Sequence, residues 1–179
     1  AMIRSSSPLE AAQWASQLNE GPIRDQAIGR AADHYARKDL EAAKDWAESV
    51  SSSDGSERAI GAVTRNWASR EPEAALDWVS GLPEGQAQQS GTWAALNGWA
   101  GKDPSAASDY LANMPDSEIR NAAISGFSDR LVWENPQAAM TWANSITSDE
   151  MRNEVLARVG RSWARKDPKA ALNWAQETP

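Results

Sequence analysis

The chain has 179 residues, 41% of them apolar, with a formal net charge of −7 and no cysteine. That balance gives enough apolar content to fold and enough charge to stay in solution. It disfavours a nucleic-acid partner, which needs a basic face, and it excludes disulfides and thiolate metal sites. No apolar run approaches the roughly 20 residues of a membrane span, and the first residues lack the basic-then-apolar pattern of a signal peptide.

Residues 1–6 read as disordered or as an expression remnant, Ala1-Met2 in particular, and 7–179 as a single repeat array. Pro8, Leu40, Pro72, Pro104, Pro136 and Pro168 recur every 32 residues (40 − 8, 72 − 40 and so on) and open the repeats. An aromatic follows six residues later each time: Trp14, Trp46, Trp78, Tyr110, Trp142 and Trp174. A fixed period of this length signals stacked supersecondary units. Each proline slot opens a short helix. Its residue +3 is always alanine (Ala11, Ala43, Ala75, Ala107, Ala139, Ala171), and offsets +3, +6, +7 and +10 form one apolar face. The residues just before the slot are Ser7, Asp39, Glu71, Asp103, Asn135 and Asp167. All but Glu71 are favoured N-caps, and proline costs nothing at the first helical position. Turn-forming stretches such as Asn19-Glu20-Gly21-Pro22 and Pro83-Glu84-Gly85 close these helices.

A longer helix fills the rest of each repeat. Counted back from the next proline slot, offsets −12, −9, −8 and −5 form its apolar stripe, for example Ile28, Ala31, Ala32 and Tyr35, or Ile60, Val63, Thr64 and Trp67. Lys38, Arg70, Lys102 and Lys166 suit the negative end of the helix dipole, with Glu134 the exception. The short connection to the next capped helix makes the two antiparallel partners. The expected order is a leading short helix and five long–short pairs, eleven helices with no strand. Eight of the 10 tryptophans fall on the −5 and +6 columns and read as packing rings. The residues at +5 (Gln13, Asp45, Asp77, Asp109, Thr141, Asn173) read as a solvated face or as acceptors for indole N–H groups.

The hairpin period, the small residue at −8, the aromatic at −5 and the alanine at +3 resemble the tetratricopeptide repeat. The period is 32 where that family has about 34. Proline opens the second helix, the usual glycine beside the turn is absent, and tryptophan stands where tyrosine is usual. The resemblance implies an all-α fold, a right-handed αα-hairpin solenoid of about five helix pairs plus a leading helix. It also implies a concave groove, lined by the longer helices, that holds an extended peptide or a partner helix.

A second stripe at −14, −11, −7, −4 and −3 on the long helices is the expected groove face. Its −7 column is polar and varied: Asp33, Arg65, Asn97, Asp129 and Arg161. Trp93 and Trp133, the two tryptophans outside the packing columns, fall on it in adjacent repeats. They read as binding anchors, or as fillers of gaps beside Gly91, Gly98 and Gly101. The expected function is a non-enzymatic protein- or peptide-binding scaffold using Trp93, Trp133, Arg65, Asn97, Asp129 and Arg161. The alternative is a carbohydrate or small-ligand module that stacks sugars on the groove indoles.

No catalytic constellation, metal motif or phosphate loop is written, and no cofactor is implied. The lone His34 reads as structural. Gly29, Gly61 and Gly160 read as close-packing positions inside helices. The final short helix, with Leu172 and Trp174, has no long helix after it to cover it. The expectation is either that the chain is cut from a longer array or that another molecule buries this end. Self-association through the uncapped C-terminal helix is one form of the latter.

Overall fold

The computed structural model describes residues 7–50 and 53–177; the expected disordered lead, residues 1–6, lies outside them. The described residues form eleven helices and no strand: α1 (Pro8–Ser16), α2 (Pro22–Ala36), α3 (Leu40–Ser49), α4 (Ser53–Ala68), α5 (Pro72–Ser80), α6 (Gln86–Ala100), α7 (Pro104–Asn113), α8 (Glu118–Leu131), α9 (Pro136–Asn144), α10 (Asp149–Lys166) and α11 (Pro168–Glu177). This is the expected alternation of a leading short helix and five long–short pairs.

Local chemistry sets the short-helix starts. Ser7 accepts from the Glu10 amide at 3.2 Å, and Glu10 accepts in return from the Ser7 amide at 3.0 Å, a complete capping box. Asp39, Asp103, Asn135 and Asp167 cap their helices through bonds of 3.1, 2.9, 3.0 and 3.0 Å. Each such cap stabilises its helix by about 1 kcal/mol. Glu71 makes no cap; its carboxylate accepts the indole N–H of Trp67 at 3.2 Å. Lys38, Arg70 and Lys102 lie in the turn just past their long helices rather than in the last helical turn.

The chain divides into two compact units, Ala1–Ala95 and Leu96–Pro179, with the division inside α6. In the first, α1, α3 and α4 pack on α2, and α3 and α5 pack on α4. In the second, α7, α9 and α10 pack on α8, while α9 and α11 pack on α10. Long helix lies on long helix, with short helices bracing them.

The apolar columns form the core. The first five alanines at +3 are 0–2% exposed, and so is the whole −9 column: Ala31, Val63, Ala95, Phe127 and Val159. Two columns outside the expected stripe are also buried. Ala27, Ala59, Gly91, Ala123 and Val155 at −13 are buried, as are Ala36, Ala68, Ala100 and Val132 at −4. In these four repeats the −4 column therefore belongs to the core and not to the groove face; Ala164, its last member, is exposed. Buried hydroxyls at Thr64 and Thr92 are satisfied one turn back, on the Ile60 and Gln88 carbonyls at 2.7 and 2.9 Å. Buried Gln88 and Asn121 tie down turns: the first donates to the Leu82 carbonyl at 3.0 Å, and the second accepts from the Thr147 amide at 3.1 Å.

The aromatic columns meet ring to ring within each hairpin. Tyr35–Trp46, Trp67–Trp78, Trp99–Tyr110 and Trp163–Trp174 have centroids 5.3–6.4 Å apart. In the fourth hairpin the −5 residue is Leu131, and Phe127, one turn earlier, takes over against Trp142 at 5.6 Å. The −5 rings are mostly buried. The +6 rings are only half-covered, and Trp14 is exposed. They act as half-covered lids packed on the rings of the long helices. The +5 column is exposed along its whole length, as a solvated face should be. The Trp78 indole donates instead to Glu48 at 2.8 Å.

Candidate functional site

In the N-terminal unit the long helices enclose a cleft of about 610 Å³. Gly29 and Asp33 of α2, Arg58, Gly61 and Arg65 of α4, and Trp93 of α6 are among its walls. The two glycines explain why it exists. A Cβ on Gly29 would sit 3.6 Å from the Arg58 Cβ, and one on Gly61 only 3.2 Å from the Ser90 Oγ. The long helices come close at these points, and the floor of the cleft is backbone.

Charge in the cleft is mixed: Asp25, Asp33 and Glu57 line it beside Arg30, Arg58 and Arg65. Asp33 is held by Arg37 at 2.7 Å, one turn on. The guanidinium groups of Arg30, Arg58 and Arg65 are exposed, and none makes an ion pair with a described residue. These cation donors line the same cleft as the Asp25 and Glu57 carboxylates. Trp93 is half-buried, so part of its indole is presented and part is packed. It does not fill the gap at Gly91, which Val79 and Ile60 close at 2.9–3.1 Å from a Cβ placed there.

In the C-terminal unit the same columns are occupied differently. The Asn97 amide donates to the Gly126 carbonyl at 3.1 Å. The Asp129 carboxylate accepts from Arg158 Nε at 2.8 Å, and the same arginine reaches Ser125 Oγ at 2.6 Å. Gly101 lies under Arg130, whose Nε would be 2.8 Å from a Cβ there. Asn97 and Asp129 thus tie one long helix to the next. Trp133 is 50% exposed, but it lies in the turn beyond α8 and not on the helix. Its carbonyl accepts from the Lys166 ammonium. Arg161 is exposed on α10.

Of the six residues singled out from sequence, Arg65 and Trp93 share the cleft. Asn97 bridges α6 to α8 and Asp129 bridges α8 to α10, and Trp133 and Arg161 stand at the surface of the C-terminal unit. The −10 column was missed. It supplies Arg30 to the cleft and Arg158 to the seam, and only the facing helix reveals its role. Among the described residues no group of three or more metal-ligating side chains gathers, and no helix is long and apolar enough to cross a membrane. In comparisons with family models, curated proteins and solved structures, nothing matched this chain.

Proposed function

We propose that this chain is a non-enzymatic repeat scaffold that captures a peptide or protein segment in the cleft of its N-terminal unit. In this reading it is a tetratricopeptide-like, right-handed αα-hairpin solenoid. Trp93 supplies the apolar anchor. Arg30, Arg58 and Arg65 pair with carboxylates of the bound segment, and the glycine floor lets its backbone lie close. The observation that carries the proposal is this combination: a concave site floored by Gly29 and Gly61, rimmed by an indole and by guanidinium groups with no ion-pair partner among the described residues. Sites of this kind, with an aromatic anchor beside arginine, dominate binding energy at interfaces. Trp133 is a secondary apolar contact of the C-terminal unit.

The test is selection of a displayed peptide library on the full chain. Enriched sequences should place an acidic residue near an apolar one. Trp93→Ala should abolish capture while the melting temperature moves by no more than about 3 °C, the shift produced by roughly 1 kcal/mol at this size. A large loss of stability would make Trp93 a core residue and overturn the assignment. The size of the cleft also suits a compact ligand, and this supports the second reading, carbohydrate or small-ligand binding with a sugar face on Trp93. A glycan array probed with the same two proteins separates the readings.

A further inference from the structure

The cleft of the N-terminal unit holds a charge that the proposed function leaves unused. Asp25 lines the cleft and is 8% exposed, and its carboxylate makes no hydrogen bond or ion pair with a described residue. A carboxylate covered to that degree without a partner is costly. The helix dipole alone does not account for it. Asp25 lies in the first turn of α2, where negative charge is favoured. Yet Glu118, Asp149 and Glu150, in the first turns of α8 and α10, have the same benefit while exposed. Asn121 holds the corresponding seat on α8, at −15, and is 1% exposed. That side chain is satisfied: it donates to Thr147 Oγ1 and accepts from the Thr147 amide, each at 3.1 Å. In α2 the seat carries a charge and opens on the cleft.

The seat repeats on the next long helix as Glu57, which also lines the cleft, half-buried and without an ion pair among the described residues. The lining falls in tiers four residues apart: Asp25, Gly29 and Asp33 on α2, and Glu57, Gly61 and Arg65 on α4. The first tier is anionic. The second is glycine on both helices. A Cβ on Gly160, by contrast, would meet nothing within 4 Å, so that glycine is not the close-packing position expected. In the third tier Asp33 is held by Arg37, which leaves the Arg65 guanidinium as the open charge. Eight residues (33 − 25, 65 − 57) at 1.5 Å each put about 12 Å between the first tier and the third. Arg30 and Arg58 flank the tiers, exposed, and neither comes within ion-pair distance of Asp25 or Glu57.

We infer that the Asp25–Glu57 tier is a cation subsite. It takes a protonated nitrogen of the bound segment, either a lysine or arginine side chain or the amino terminus, while Arg65 at the far tier takes a carboxylate. The inference rests on the proposed capture of a segment in this cleft and names the chemistry of that segment. Its cation and anion stand about 12 Å apart, which is about four residues of extended chain. The bound cation offsets the cost of the covered Asp25 carboxylate.

The experiment selects a random displayed peptide library, with free amino termini, on the full chain and in parallel on Asp25→Asn. Asparagine is what α8 carries in this seat, so the variant should fold. Removing an uncompensated charge should hold or raise its melting temperature. Peptides enriched on the unaltered chain should carry an acidic residue about four positions from a basic residue or from the amino terminus. On the variant that requirement should disappear. For the most enriched peptide, replacing the basic residue by glutamine should weaken binding about tenfold in isothermal titration, and by less than about twofold with Asp25→Asn. Acetylating the peptide's amino terminus is the second arm, and a loss found there instead makes the terminal amine the bound cation. Insensitivity to both arms, or equal losses on the chain and the variant, overturns the inference and leaves the capture reading standing. A melting temperature lowered by Asp25→Asn overturns it as well, since the carboxylate would then be a structural partner. No enrichment on either protein overturns both readings.

Discussion

The N-terminal and C-terminal units use one stripe of columns for two purposes. In the first, −11 is glycine at Gly29 and Gly61, the helices touch through backbone, and arginines are left beside an open cleft. In the second, −11 is Ser125 and −7 is Asp129, and a single arginine, Arg158, bridges both to the next helix. The backbone pattern is shared, so the difference lies in a few side chains. A cleft arises where the column is emptied, and a lock where it is filled with matched charge.

The largest effect expected from breaking this comparison lies in the packing beneath the lock. Phe127→Ala removes a ring that is 1% exposed and faces Trp142, and it should cost about 3–5 kcal/mol in chemical denaturation. Trp14→Ala, in the other unit, removes a larger ring that is already 42% exposed, and it should cost less than half as much. A reversed order would mean that the half-covered rings contribute more to the core than their burial implies.

Next comes Gly91→Ala. Its new Cβ would lie 2.9 Å from a Val79 methyl, an overpacking that should destabilise by about 1–3 kcal/mol. Arg158→Ala removes the ion pair to the Asp129 carboxylate, whose side chain is 17% exposed. It should cost about 1.5–2 kcal/mol, in the range of hydrogen bonds to charged groups. Arg65→Ala, the matching test in the open cleft, should stay within about 0.5 kcal/mol. Equal costs for the two arginines would erase the distinction between lock and cleft. The smallest effect is a gain. Gly160→Ala, inside α10 with open space around it, should stabilise by about 0.5–1 kcal/mol through helix propensity.

The helices and most of the core were legible because their signals are local. A cap, a proline and an alanine three residues on define each short helix without reference to anything distant. The −12, −9, −8 and −5 columns follow from helical periodicity alone. The site was legible only in part. Arg65 and Trp93 fall on the stripe that periodicity marks, and they do line a cleft. Asn97 and Asp129 fall on the same stripe and face a neighbouring helix instead, because the outcome depends on Gly126 and Arg158, 29 residues away. Trp133 was placed on a helix that ends at Leu131, where the turn bonds of Glu134 and Asn135 to the Leu131 carbonyl take over. Helical spacing carried past that turn assigns a face that the residue does not have.

The most direct test of the two-use account is amide chemical-shift mapping of the full chain with a peptide selected on it. The account predicts shifts concentrated at Gly29, Gly61, Arg65 and Trp93, with the amides of Asn97, Asp129 and Arg158 unmoved. Shifts centred on the Asp129–Arg158 seam, with the glycine-floored cleft silent, would contradict it.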